Sequence, residues 1–213
     1  MELSNMQSVL SVAKEMGGDV LDLFSEGMDY MPHIGRFVQT VKFNRLQRRM
    51  EENSLQLQRI SQLASSSILA EEYIKQRIFP IVLGEMIEEH EDAKINLLLN
   101  GFENVFIEEK ENESMVINYF DVISRLRYKD IKRLLYIAGI TESFEPHIQE
   151  SEEEAFIWSI DNKLEINGLV VVVKSLAMIN GDNIKPVVPE NIKITPFGKE
   201  FLNFIQIKKL AES

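Results

Sequence analysis

From about residue 37 to Pro80 the chain contains neither glycine nor proline. Within that stretch Phe43, Leu46, Met50, Asn53, Leu57, Ile60, Ala64 and Ser67 recur at alternating spacings of three and four. That period belongs to a helix laying one stripe against a neighbour, and it predicts a single long helix: one arm of a bundle, or the seam of a coiled-coil dimer. Asn53 is the polar member of the stripe. At a dimer seam it would fix register at some cost in stability, and on a monomeric bundle helix it is a solvated position. Pro80 lacks the amide hydrogen an interior turn needs, so a kink or restart is predicted there. A chain of 213 residues with 45% hydrophobic content has enough apolar material to bury a core around such a helix.

Residues 1–38 mix helical apolar spacing (Val9, Val12, Val20, Leu21, Phe24) with Gly17, Gly18, Gly27, Pro32 and Gly35, which predicts short, broken helices. One lysine against six acids up to Asp29 leaves them without the basic face that anionic lipid favours, so packing against the protein is expected over membrane contact. No basic residue precedes Lys14, and no apolar run approaches the roughly 18 residues of a spanning helix. A cytoplasmic protein without a membrane span is expected.

Downstream, Asp92 reads as the N-cap of a helix from Ala93 to about Phe106 that Gly101 weakens, and Ser114 as the cap of another running to about Leu126. A short helix from about Lys129 to Ala138 closes at Gly139, and Glu152 to about Asn167 closes at Gly168. Valine-rich Leu169 to Ile179 reads as a strand, Asn180-Gly181-Asp182-Asn183 as a turn and Ile192 to Thr195 as a second strand. Pro196 then opens a terminal helix through about Lys209. Three helices, a strand, a turn, a strand and a helix follow the layout of a winged helix. The expected fold is therefore mainly α: short helices over 1–38, a long-helix hairpin or bundle over 39–112, and a winged-helix-like α+β module over 113–213.

The chain contains no cysteine, which excludes disulfides, thiolate metal sites and a cysteine nucleophile. Glu85, Glu88, Glu89, His90, Glu91 and Asp92 form the densest carboxylate cluster. The Glu-x-x-His frame of a bundle di-metal site is absent, because Ile87 stands three residues before His90. His33 and His147 are isolated residues that each follow a proline, and no glycine-rich phosphate loop occurs. A protein without enzymatic activity, metal or cofactor is expected.

The net charge of −11 is a sum of alternating blocks. Residues 31–60 carry six basic and two acidic residues, 116–140 five and two, 81–115 two and ten, and 141–160 none and six. Glu152, Glu153, Glu154, Asp161 and Glu165 in the slot of a DNA-reading helix, against Lys163 alone, would be repelled by phosphate, and Lys174, Lys185 and Lys193 are too few to reverse that. Protein contact is expected there over DNA. The basic stretch Arg36, Lys42, Arg45, Arg48, Arg49 and Arg59 is the candidate interaction patch. It either pairs, within the bundle or between subunits, with the acidic 85–113 region, or grips a nucleic acid or a foreign protein. Pairing is favoured, because the two patches are complementary. The candidate dimer seam is Phe43, Leu46, Met50, Asn53, Leu57 and Ile60.

The Arg45, Arg48, Arg49 helix, the segments EEHEDAKINLLLNGFEN and SMVINYFDVISRLRYKDIKRLLYI, and the closing NIKITPFGKEFLNFI together resemble the Abi-alpha family of bacterial proteins associated with abortive infection. The resemblance spans roughly residues 40–207. It implies a role in phage defence or prophage biology, through a partner that is self, host or phage protein, and it supplies no catalytic residues. A winged-helix transcriptional regulator that binds DNA is the alternative.

Overall fold

The computed structural model describes residues 2–29, 36–144, 151–173 and 192–206. They are mainly helical. In chain order they form α1 (Glu2–Met16), α2 (Gly18–Asp29), α3 (Arg36–Glu52), α4 (Ser54–Ser66), a π-helical turn (Tyr73–Ile78), α5 (Phe79–Glu88), α6 (Asp92–Ile107), α7 (Glu113–Arg125), α8 (Tyr128–Ile137), α9 (Glu152–Ile166), β1 (Val170–Val172), β2 (Ile192–Ile194) and α10 (Pro196–Ile205). The strands form one antiparallel pair, with Val171 opposite Lys193. Two compact units result: unit 1 comprises residues 1–124 and 204–213, and unit 2 comprises 125–203. The division falls twelve residues beyond the boundary expected near 112, and all of α7 but its last residue counts with unit 1. His33, His147, Lys174, Lys185 and the Asn180–Asn183 turn lie outside the described residues.

The single long helix expected after residue 37 is broken twice. At Asn53 the side-chain amide donates to the Arg49 carbonyl at 2.8 Å while the backbone departs from helical geometry (φ −113°, ψ 20°). Asparagine competes for local backbone acceptors in this way, which suits it to helix ends. The second break follows three consecutive serines. Ser65 and Ser66 donate back to the carbonyls of Ser61 and Gln62, and Ser67 turns extended (φ −72°, ψ 146°). At Pro80 the helical backbone is not interrupted, since Ile78 and Phe79 keep right-handed helical dihedrals; the proline stands in the first turn of α5 directly after a π-helical turn.

Several other ends follow from single residues. Gly139 and Gly168 adopt φ of +70° and +72°. Each closes its helix with a pair of bonds to the last turn: Gly139 and Ile140 donate to Tyr136 and Leu135, and Gly168 and Leu169 to Glu165 and Leu164. The same motif closes α6, where Glu109, not a glycine, takes the left-handed position at φ +45°. Asn112, rather than Ser114, caps α7, accepting from the Met115 amide at 3.1 Å. Asp92 is the first residue of α6 rather than its cap.

In unit 1, α3 packs on α1 and α5, and α4 on α2 and α6. Leu46, Met50, Leu57 and Ile60 are buried there, while Phe43 and Asn53 are half-buried. The apolar stripe is thus covered by helices of its own chain, which corrects its reading as a dimer seam: a second copy would need the same side chains. A series of ring contacts runs through the core, Phe24 to Phe79 to Phe102 to Phe106, with centroids 5.1, 5.8 and 5.2 Å apart. The closing residues of the chain complete it. Phe204 stacks on Tyr119 and meets Phe120 edge-on, at 4.8 and 5.3 Å. Gly101 makes room for it, since a Cβ there would stand 2.5 Å from the Phe204 ring. Asn100 and Asn104 donate to the carbonyls of Ile205 and Phe204 at 3.0 and 2.7 Å, satisfying acceptors that a helix end leaves open.

Unit 2 is smaller and is braced by buried charge. Ile131, Leu134, Ile157, Ile160, Leu164, Leu169 and Phe201 form its core. Arg133 of α8 makes a bidentate pair with Asp161 of α9, both bonds 2.9 Å and both side chains 4% exposed. The guanidinium also lies over the Tyr136 and Phe144 rings, at 5.6 and 5.3 Å. Asp130 accepts from the Arg127 amide, capping α8, and from Lys163 of α9 at 2.7 Å. Thr195 caps α10 through the Gly198 amide at 2.9 Å. Gly198 is required by closeness, because a Cβ would stand 2.1 Å from the Leu169 carbonyl oxygen.

Candidate functional site

The basic patch of α3 and α4 meets α5, the turn after it and α6, through acidic side chains and backbone carbonyls. Lys42 pairs with Glu88. Arg45 donates to the Ile87 carbonyl at 3.0 Å. Arg48 grips both Asp92 oxygens, at 3.0 and 2.9 Å, and Glu52 besides. Arg59 reaches Glu103 at 3.1 Å. Arg49 is the centre of this set and only 1% exposed. It donates to the Met86 carbonyl at 2.6 Å, the Glu89 carbonyl at 2.7 Å and Asp92 at 2.7 Å. Carbonyls at the C-terminus of α5 lack intrahelical donors and carry the negative end of its dipole, so a buried guanidinium satisfies both needs at once. The side chain of Arg36 lies outside the described set.

The acids of the Glu85–Asp92 cluster are largely engaged rather than solvated. Glu85 accepts from the Ser124 hydroxyl at 2.8 Å, and Glu89 holds Lys94, the two side chains being 8% and 2% exposed. Burial alone would push the Glu89 carboxyl up. The Lys94 ammonium and the amides of Glu91 and His90 outweigh it and hold the group below the usual carboxylate range. Asp92 is likewise lowered, first by its hydrogen bond from Arg49 against a smaller burial cost, then by Arg48. Among the described residues no group of three or more His, Asp or Glu side chains is placed to hold a metal ion. A cleft of about 290 Å³ opens beside Arg49, Glu52, Asn53, Asp92 and Asn96, with its three charges already paired.

With these bases engaged, the surface of unit 2 offers a different chemistry. The outward face of α9 carries Ala155, Phe156, Ser159, Asn162 and Ile166, with Trp158 at its flank. Phe156, Trp158 and Ile166 are exposed, and Val171 and Val173 follow on the strand side. Glu152 and Glu153 stand exposed at its start, where acids suit a helix N-terminus. A hydrogen bond from its own backbone amide, then one from the Ser151 side chain, lowers the Glu153 carboxyl. Lys163, the single base of this helix, is paired with Asp130. The exposed aromatics give little signal in the sequence, because apolar residues in a helical pattern read as core; only their phase against Ile157, Ile160 and Leu164 sets them outside.

No family model, curated protein or solved structure matches the chain. No helix among the described residues is long and apolar enough to cross a membrane.

Proposed function

We propose that this chain is a non-enzymatic interaction component that acts through protein contact, with the exposed face of α9 as its contact surface, in phage defence or prophage biology. The observation that carries the reading is the disposition of charge. Lys42, Arg45, Arg48, Arg49 and Arg59 are engaged by acids and helix carbonyls of their own unit. What α9 presents instead is apolar and acidic, with exposed aromatics of the kind that dominate protein interfaces. The phage-defence part rests on the Abi-alpha-like segments alone. Plating a broad phage panel on cells with and without the gene tests it: reduced plating is expected with the wild-type gene, and its loss with Phe156→Ser and Ile166→Ser together. Equal plating in all strains rejects the defence role.

A winged-helix DNA regulator is the second reading, favoured by the order of α7 to α10 around an antiparallel strand pair and by exposed Arg125, Arg127 and Lys132. A gel-shift series at low salt decides it. Retardation that charge reversal at Arg127 and Lys132 abolishes supports DNA binding, and no retardation eliminates it.

A further inference from the structure

The outward face of α9 is arranged so that it fits its own reverse. Ala155, Ser159, Asn162 and Ile166 stand exposed at spacings of four, three and four, the contact period of two helices packed side by side. Phe156 and Trp158 border this line on opposite sides, and Ile166, 76% exposed, ends it. Lys129 of α8 lies over the Phe156 ring at 5.2 Å and holds it at the edge of the face. Two copies placed antiparallel, with the axis between Ser159 and Asn162, set Ile166 of each on Ala155 and Phe156 of the other. Ser159 then meets Asn162 across the axis, where hydroxyl and amide can each donate and accept.

The charges at the two ends of the face are complementary. Glu152 and Glu153 stand exposed in the first turn of α9, and Lys163 is held by Asp130. Beyond the other end Lys193 is exposed on β2, directly opposite exposed Val171, so both project from one side of the strand pair. Neither Glu152 nor Lys193 has an ion-pair partner among the described residues. Antiparallel pairing brings the acids of one copy to the Lys193 end of the other, and it lays each helix N-terminus beside a C-terminus, where the dipoles attract. Parallel pairing would gather the glutamates of both copies at one end. A partner of other composition would have to supply in one stretch the apolar contacts and the base that a second copy already carries.

We infer that the chain associates as a twofold dimer through antiparallel α9 helices. The inference rests on α9 being the contact surface proposed above, and it names the occupant of that surface as a second copy of this chain. The buried stripe of Leu46, Met50, Leu57 and Ile60 in unit 1 takes no part.

Sedimentation velocity of the full chain from about 1 to 100 µM tests it, with a passage from monomer to dimer expected near about 10 µM. Trp158 is the only tryptophan of the chain, so its emission should move to the blue over the same range as the indole leaves water. Ile166→Glu should weaken association by about tenfold or more and abolish that shift. Leu55→Glu, at a 73% exposed position of α4 in unit 1, should leave both within about twofold. Lys193→Glu should weaken association by about threefold, and adding Glu152→Lys to the same chain should restore it. A monomer at every concentration, a dimer that Ile166→Glu leaves intact, equal weakening by Ile166→Glu and Leu55→Glu, or a charge exchange that restores nothing would overturn the inference. Circular dichroism of each variant confirms that the fold is retained. Phage plating separates this inference from the reading beneath it. A monomer whose Phe156→Ser, Ile166→Ser variant still loses protection overturns the dimer alone and leaves α9 as the contact surface for a different protein.

Discussion

Both units bury an arginine, and they use it differently. In unit 1 Arg49 closes the end of α5: two of its partners are carbonyls, and its one carboxylate, Asp92, is half exposed. In unit 2 Arg133 joins two helices through Asp161, and neither partner reaches water. Carbonyls neither titrate nor carry a full charge, so the first arrangement tolerates loss of its acid. The second is an isolated pair of opposite charges whose desolvation is offset only while both are present. Buried arginine thus serves in one place to terminate a helix and in the other to fix which helix faces which.

The sharpest way to break the contrast is to remove one carboxylate from each unit. Asp161→Asn should cost about 3–5 kcal/mol, the range for stranding a buried charge, and chemical denaturation should register it as destabilisation of unit 2. The Arg133→Met, Asp161→Leu double variant should recover most of that loss. Arg49→Met comes next, at about 2–3 kcal/mol, because it leaves carbonyl acceptors of α5 unpaired. Asp92→Asn should cost only about 1 kcal/mol, since water replaces its half-exposed carboxylate. If the two aspartate variants cost the same, the contrast fails.

Acid sharpens it from another side. Glu89 and Asp92 both have folded carboxyls held below their ordinary range. Their contribution is present above the unfolded carboxylate range and is lost as pH falls through the lowered folded values. Stability of unit 1 measured by denaturant titration should therefore decline below about pH 4.5. Glu89→Gln with Asp92→Asn should flatten that decline. The smallest effect has the opposite sign: Glu109→Gly relieves a left-handed non-glycine residue and should raise stability by about 0.5–1 kcal/mol, read as a shift in the denaturation midpoint.

What the chain discloses in advance is whatever is local. Gly139, Gly168 and Pro196 announce their helix boundaries, because each meets a backbone requirement within a few residues. The complementarity of the Arg45–Arg59 stretch with residues 85–113 is likewise visible as charge, and it anticipates the pairing seen. Arg49 is another matter. An arginine reads as surface, and only the end of α5, 37 residues away along the chain, makes its burial favourable. Gly101 reads as a weak point in α6 until Phe204 supplies the ring that occupies its missing side chain. Asn53 signals polarity within the apolar stripe, yet whether such a residue breaks a helix or rides through it depends on whether helices such as α5 and α6 wait on either side. At the α9 surface, the pattern gives the acids and misses the aromatics.

The lodging of Phe204 against Gly101, Tyr119 and Phe120 sets an order on how the molecule comes into being. Unit 1 is discontinuous along the chain, so a ribosome delivers its first 124 residues and then all of unit 2 before the ring that completes the first core emerges. Until then Asn100 and Asn104 lack the carbonyls they bond, and an aromatic wall stays open to solvent. Unit 2 waits almost as long, because Phe201 of its own core emerges only three residues earlier. The nascent chain therefore passes through a stage in which both cores still lack their α10 residues, the stage at which a chaperone has most to hold.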